Sequence, residues 1–110
     1  MSDPAIEVVH VPAKRRYELH EGTTVVGAAH YRRRSDQVVF THTTVSDAYA
    51  GQGLGARLAD VALTDVRDAG LRIVPECPYI AAYLRRHHEF DDVVDWPSPG
   101  ETGPTGRPGR

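Results

Sequence analysis

Short apolar runs separated by turn residues fill the first half of the chain and predict four strands. The runs cover residues 5–11, 14–21, 23–33 and 37–45. Within them apolar and polar side chains tend to alternate, which is the period of a strand, and the short spacings between runs favour antiparallel hairpins. Glu21-Gly22 and Ser35-Asp36 supply two of the turns. One face of the fourth strand is expected to carry Val39, Thr41, Thr43 and Val45.

The second half of the chain changes to the three- and four-residue spacing of a helix. Apolar residues recur at that spacing from about Gly53 to Ala69, and Gly70 is suited to the left-handed residue that often ends a helix. Residues 71–74 form a short apolar run that is typical of a buried fifth strand. This helix is therefore expected to connect two parallel strands of one sheet.

The end of the chain predicts a second helix and a tail. Pro78 can occupy the first turn of a helix running to about His87, and residues 90–96 are expected to add a final strand. Residues 97–110 are rich in Pro and Gly and lack core-forming residues, so we expect a disordered tail after one domain over residues 1–96. The order of elements indicates an α+β fold whose mixed sheet is mostly antiparallel, with two main helices.

The length and net charge of the chain limit the size of its core and the kinds of partner it can be expected to bind. A chain of 110 residues has room for one core, and its net charge of −2 does not favour nucleic acid or an anionic membrane. No apolar run is long enough to span a bilayer, and the first residues do not resemble a signal peptide. Cys77 is the one cysteine, so we expect no intramolecular disulfide and a cytoplasmic location. The expected oligomeric state is a monomer or weak dimer. The histidines show no zinc-motif spacing, so no metal site is expected.

Three glycines at alternate positions separate the fourth strand from the first helix. The stretch reads Gly51-Gln52-Gly53-Leu54-Gly55-Ala56. Glycines permit positive φ and close approach of a ligand, and the first turn of a helix exposes unpaired N–H groups, so the stretch predicts a backbone cradle for phosphate. The spacing is not that of a dinucleotide fingerprint, and Ala56 and Arg57 exclude the phosphate loop of the nucleoside triphosphatases.

This turn resembles the pyrophosphate-binding turn of the GNAT superfamily, the acetyl-coenzyme A-dependent N-acetyltransferases. Ala50, Gly53 and Gly55 occupy the slots of its pattern after Val45 at the strand end, with Ala50 in place of the usual Arg or Gln. A second stretch resembles the ending of the small, single-domain YjdJ-type GNAT-like family. Its matching residues are Cys77, Tyr79, Arg86, His87, Glu89 and Phe90, with His88 where Pro is usual.

The fourth strand extends the same resemblance, which covers residues 25–90. His42, Thr43 and Val45 match the family pattern, whereas Thr44 stands where a Glu is often found. The resemblance implies a minimal GNAT fold that lacks the two helices larger members carry between their first two strands. It also implies that acetyl-coenzyme A enters a gap between the fourth and fifth strands.

Within that fold the resemblance assigns roles to particular residues. Thr43 and Val45 would bind the pantetheine arm as an added strand does, and Cys77 would lie near the thioester. The pyrophosphate would be held by Gly51, Gln52, Gly53, Leu54, Gly55 and Ala56. The expected activity is transfer of an acetyl group to an unknown amine, carried by a small molecule, a peptide or a protein.

Two residues are candidates for catalysis, and each has a simpler interpretation. Cys77 can act as a nucleophile or be a small buried side chain, so a cysteine route and direct attack by the amine both stay open. His42 can act as a base, since histidine titrates near neutral pH, or be an exposed strand residue. Because Thr44 cannot act as a base, a coenzyme A-binding module without turnover is the main alternative. An interaction protein with a purely structural glycine turn is the third.

Overall fold

Five strands form one sheet in the computed structural model, which describes residues 6–49 and 51–97. The strands lie in chain order: β1 Ile6–Val11, β2 Arg16–Glu21, β3 Thr24–Arg34, β4 Gln37–Val45 and β5 Arg72–Pro75. The first four are antiparallel neighbours, and β5 runs parallel to β4. This confirms the predicted α+β class. The predicted tail over 97–110 lies outside the described residues, except for Pro97.

Two α-helices pack on the same face of the sheet, which we call the helix face. They are α1, Leu54–Asp68, and α2, Pro78–Arg86. Their apolar sides meet the strands in one core whose largest fully buried members include Leu19, Phe40, Leu58, Leu63, Ile80 and Leu84. No helix of the described residues covers the opposite face, which we call the open face. The two helices and the helix face of the sheet therefore form the core.

A bulge in β4 changes which residues share a face. His30 pairs with His42, but the next pair is Tyr31 with Phe40, so Thr41 is the extra residue. An extra residue resets the alternation of side chains along a strand. Phe40 before the bulge and Thr43 after it both face the helices, whereas Val39 lies outside the core cluster. The predicted common face of Val39, Thr41, Thr43 and Val45 is therefore wrong.

The predicted final strand over 90–96 is also wrong. His88–Val93 forms a 3-10 helix, and one isolated β-bridge, between Ile73 and Val94, is the described strand-like pairing of the segment with the sheet. Phe90 is only 1% exposed and lies in the core, with the Arg67 guanidinium 5.1 Å from its ring centroid. Phe90, Val93 and Val94 recur at the three- and four-residue spacing of a helix, and this spacing is the feature of the sequence that indicates a helical turn here.

On the open face, one buried carboxylate is held by its strand neighbours. Glu18 is 5% exposed, Arg16 Nε donates to its Oε2 at 2.6 Å, and His20 Nε2 lies 2.8 Å from its Oε1. The hydrogen bond from His20, followed by that from Arg16, holds the pKa of Glu18 below its usual value. The charged form of Glu18 thus contributes to the stability of β2.

Replacing Glu18 by Gln is expected to lower the free energy of unfolding by about 1–2 kcal/mol at neutral pH. A carboxyl group whose pKa is lowered on folding stabilises above its unfolded value of 4.5, and that stability is lost as pH falls through the lower folded value. The wild type should therefore lose more stability than Glu18→Gln on acidification below about pH 4.5. Urea unfolding across this pH range measures the difference, and parallel pH profiles would contradict it.

Candidate functional site

A gap opens between β4 and β5 because the two strands stay paired over only part of their length. Their last pair is Phe40 with Pro75, after which Cys77 N–H donates to the Phe40 carbonyl at 2.8 Å. β4 continues to Val45, and among the described residues its edge over 41–45 has no strand neighbour on the β5 side. An extended ligand with amide groups can hydrogen-bond such an edge as an added strand.

The glycine turn lies between the end of β4 and the start of α1. Gly51 and Gly53 have φ of 83° and 74°, in the left-handed region that favours glycine. Gly53 is the N-cap of α1, and no side chain caps the helix. A Cβ on Gly51 or Gly53 would meet no described atom within 4 Å, so both glycines border open space. The first-turn N–H groups of α1 are thus accessible, and they favour an anion.

The third glycine, Gly55, has a different role. A Cβ on Gly55 would lie 2.6 Å from the hydroxyl oxygen of Tyr79, in the first turn of α2. The missing side chain therefore makes room for the Tyr79 ring, and the two helices approach each other closely at their N-terminal ends. Sequence reasoning placed Gly55 in the phosphate cradle and did not find this helix contact, since α1 and α2 are separated by β5 in the chain.

Thr43 and Cys77 meet on the helix face beside the gap. Cys77 is 2% exposed, is the N-cap of α2, and its Sγ lies 3.4 Å from Thr43 Oγ1. Among the described residues no histidine or carboxylate hydrogen-bonds this sulfur. A cysteine nucleophile is activated by an adjacent base or by a helix N-terminus, and the described structure supplies only the second.

His42 lies on the opposite side of β4 from Cys77. Neighbouring residues of a strand point to opposite faces, so His42 faces the open side while Thr43 faces the helices. The His42 ring is exposed and stacks on His30, with ring centroids 4.2 Å apart and planes 11° from parallel. The structure therefore does not bring together the two predicted catalytic residues. His30 is a candidate that sequence reasoning missed, because only the strand register reveals this pair.

A small cleft of about 90 Å³ lies between the two helices and borders the glycine turn at Ala56. Tyr83 lines it, stacks on His87 with centroids 3.9 Å apart, and donates a hydrogen bond to Asp60 at 3.5 Å. Burial, and then the charge of Asp60, raise the pKa of Tyr83 to about 12. Tyr83 is therefore a neutral hydrogen-bond donor at physiological pH.

A cavity of about 220 Å³ lies at the other end of the sheet, away from the gap. Four of its polar side chains bond one another: Tyr17 donates to Asp65 at 2.6 Å, and His10 Nε2 lies 2.6 Å from the Tyr31 hydroxyl. Burial, reinforced by Asp65, raises the pKa of Tyr17. Since these groups satisfy each other, we assign the cluster a structural role.

Residues 6–49 and 51–97 contain neither a metal-binding cluster nor a membrane-spanning helix. No group of three or more His, Cys, Asp or Glu side chains in these segments is arranged to hold a metal ion. Nor does any helix there have the length and apolar character needed to cross a membrane.

Comparison with known proteins places this geometry in a family. The family model described as GCN5-related N-acetyl-transferase matches residues 16–93. The solution structure of a GCN5-like protein from Staphylococcus aureus is similar, at 21% identity and a TM-score of 0.64, covering 94% of this chain and 99% of that one. The crystal structure of the ribosomal-protein-S18-alanine N-acetyltransferase from Escherichia coli is 19% identical, with a TM-score of 0.50, over 55% of this chain and 41% of that one.

At these identities the likeness to the two solved structures is one of fold alone. No curated protein sequence gives a significant match. The family model, in contrast, spans most of the chain, from β2 to the 3-10 helix after α2. The chain therefore belongs to the GCN5-related N-acetyltransferase family, and it is an acyltransferase by that membership.

Proposed function

We propose that this chain binds acetyl-coenzyme A and transfers its acetyl group to a primary amine. Two neighbouring features carry the proposal: the unpaired edge of β4, and the uncapped, glycine-lined start of α1 that follows it after the 3-10 helix Asp47–Tyr49. An edge with free backbone groups suits the amides of a pantetheine arm, and a helix N-terminus suits a pyrophosphate. Few other ligands carry both groups in one extended molecule.

In this proposal the cosubstrate lies along the gap. Thr43 and Val45 flank the pantetheine arm, and the thioester lies toward Cys77 and the apex of the gap. The phosphates meet the backbone N–H groups of the cradle formed by Gly51, Gln52, Gly53, Leu54, Gly55 and Ala56. Gly55 also leaves room for the Tyr79 ring, which closes one side of the cradle.

Direct attack by the amine is the proposed route. The amine nitrogen forms a bond to the thioester carbonyl carbon, the carbon–sulfur bond breaks, and the amine proton passes to a base. The open face offers the base, and His42 is the histidine there that the sequence predicts. Cys77 is buried and, among the described residues, its sulfur has Thr43 and no base as a hydrogen-bond partner, which supports a role beside the thioester rather than as nucleophile.

Cys77→Ala is accordingly expected to retain acetyl transfer to within about tenfold of the wild type. Calorimetric titration of acetyl-coenzyme A into both proteins, with intact-mass analysis of each mixture, tests ligand and route together. We expect binding in both proteins and an acetyl adduct in neither. An adduct in the wild type alone, with transfer abolished in Cys77→Ala, would contradict direct attack.

A coenzyme A-binding module without turnover is the second candidate, and Thr44 favours it. Thr44 lies on the open face where the resembled family often has a carboxylate, and a threonine takes no proton at neutral pH. Binding of acetyl-coenzyme A without acetylation of any amine would establish this function. Absence of binding would favour an interaction protein whose glycine turn is only structural.

The acceptor side of the proposed site is exposed. No helix of the described residues covers the open face, so a peptide or protein amine can reach it as well as a small molecule. All of the proposed groups come from one chain, which is compatible with a monomer or a weak dimer.

A further inference from the structure

A shallow groove of about 360 Å³ crosses the open face. Arg16, Ala28, His30, Thr44 and Val45 contribute to its lining, from three neighbouring strands. At Thr44 and Val45 the groove borders the same part of β4 whose other edge forms the gap. The groove and the gap therefore lie on the two sides of β4, and an extended amine that crosses β4 on the open face passes from the groove to the gap.

Gly27 of β3 lines this groove and lies close to the backbone of β4. A Cβ on Gly27 would lie 2.8 Å from the Thr44 carbonyl oxygen and 3.0 Å from Leu19, so only glycine fits there without a shift. Because Leu19 lies in the core, that Cβ would point to the helix face, so Gly27 contributes only backbone to the lining of the groove. The lining side chains are small or apolar at Val25 and Ala28, which suits an unbranched alkyl chain.

His30 lies at one end of the groove's β3 wall, beyond residues 25–28. It pairs across the sheet with Arg16 of β2 and with His42 of β4. The last pair between β4 and β5 is formed by Phe40, two residues before His42. The stacked rings of His30 and His42 thus stand at the level where the gap opens, and His30 is the partly buried member.

The charged and titratable groups around His30 favour its neutral form. Arg16 and Glu18 face it from β2, His42 faces it from β4, and Arg32 follows on its own strand. Burial lowers the pKa of His30, the charge that His42 takes on when protonated lowers it further, as does Arg16, and Glu18 opposes them. A neutral imidazole is the form that accepts a proton.

We propose that the groove receives an unbranched primary amine and that His30 takes its proton during acetyl transfer. This rests on the acetyl transfer proposed above and assigns the base to His30 rather than to His42. The amine nitrogen bonds to the thioester carbonyl carbon, and coenzyme A leaves with the electron pair of the broken carbon–sulfur bond. The proton lost by the nitrogen goes to the His30 imidazole and then to solvent through the open groove.

The test compares three single substitutions in the full chain, His30→Gln, His42→Gln and His88→Gln. His88 is the control, since its side chain is 73% exposed on the 3-10 helix. The probes are acetyl-coenzyme A and Nα-acetyl-lysine amide, which carries one unbranched primary amine. Acetyl-coenzyme A affinity is measured by calorimetry, and kcat/KM for the amine is measured from about pH 5 to about pH 8.5.

His30→Gln is expected to lower kcat/KM by about 100-fold while acetyl-coenzyme A affinity stays within about twofold. The ratio of the wild-type kcat/KM to that of His30→Gln should fall only below about pH 6.5, because the pKa of His30 is lowered. His42→Gln should lose less activity and move that acidic limb to higher pH, since it removes both a charge and a covering ring. His88→Gln should match the wild type.

Three results would overturn the inference. The first is a His30→Gln rate within about threefold of the wild type. The second is that the fall of kcat/KM at low pH disappears in His42→Gln but not in His30→Gln, which would make His42 the base. The third is a wild type that binds acetyl-coenzyme A but leaves the amine probe unmodified. Absence of acetyl-coenzyme A binding in the wild type would instead refute the proposed function itself, and the calorimetry separates these cases.

Discussion

Gly53→Asp is expected to weaken acetyl-coenzyme A binding by about 100-fold and to leave the protein folded. Gly53 has a positive φ, and asparagine and aspartate are among the few other residues that accept it. A Cβ there meets no described atom within 4 Å, and a carboxylate at a helix N-cap is favourable in itself. The loss should therefore fall on the ligand, whose phosphates would face a new negative charge.

Gly53→Asn is the matched control, because it has almost the same shape and backbone tolerance but no charge. We expect its affinity to fall by no more than about tenfold. Calorimetry gives the two affinities, and thermal unfolding checks that both variants fold. Equal affinities in Gly53→Asp and the wild type would mean that no phosphate lies at the start of α1.

Phe90→Ala is expected to lower the free energy of unfolding by about 3–5 kcal/mol. Phe90 is among the largest fully buried side chains, and it fixes the 3-10 helix His88–Val93 against the core. Its ring also lies under the guanidinium of Arg67 from α1. Removing the ring leaves a cavity where the C-terminal segment joins the helices, and urea unfolding followed by circular dichroism measures the cost.

Trp96→Ala is the control for Phe90→Ala. Trp96 is 46% exposed, and its described contact is with the guanidinium of Arg85, 5.3 Å from the ring centroid. Its removal should cost no more than about 1 kcal/mol. If 90–96 were a strand beside β5, as the sequence suggested, alternate residues would carry the burial and the two substitutions would cost similar amounts.

The sequence predicted the elements of this fold well, because each carries a local signal. The apolar alternation of β1 to β4, the helical spacing of α1 and the proline at the start of α2 all depend on neighbours in the chain. The C-terminal segment was misassigned because Phe90, Val93 and Val94 fit a short strand or a turn of helix, and only packing against α1 decides between them.

The candidate site divides in the same way. The glycine turn is local, and its positive φ angles at Gly51 and Gly53 agree with what glycines in that pattern predict. The bulge at Thr41 is not local, since it exists only in the register between β3 and β4. That register decides that Thr43 meets Cys77 and that His42 stacks on His30, so the sequence could name these residues but could not say which belong together.

The most direct measurement is an amide NMR map of the protein during titration with acetyl-coenzyme A. The largest shifts should fall on residues 51–56, at the start of α1, and on residues 41–45, along the unpaired edge of β4. Such a map would place the phosphates and the pantetheine arm where the structure has free backbone groups. Shifts confined to the cavity beside His10 and Asp65, or no shifts at ligand saturation of a folded protein, would contradict the proposed site.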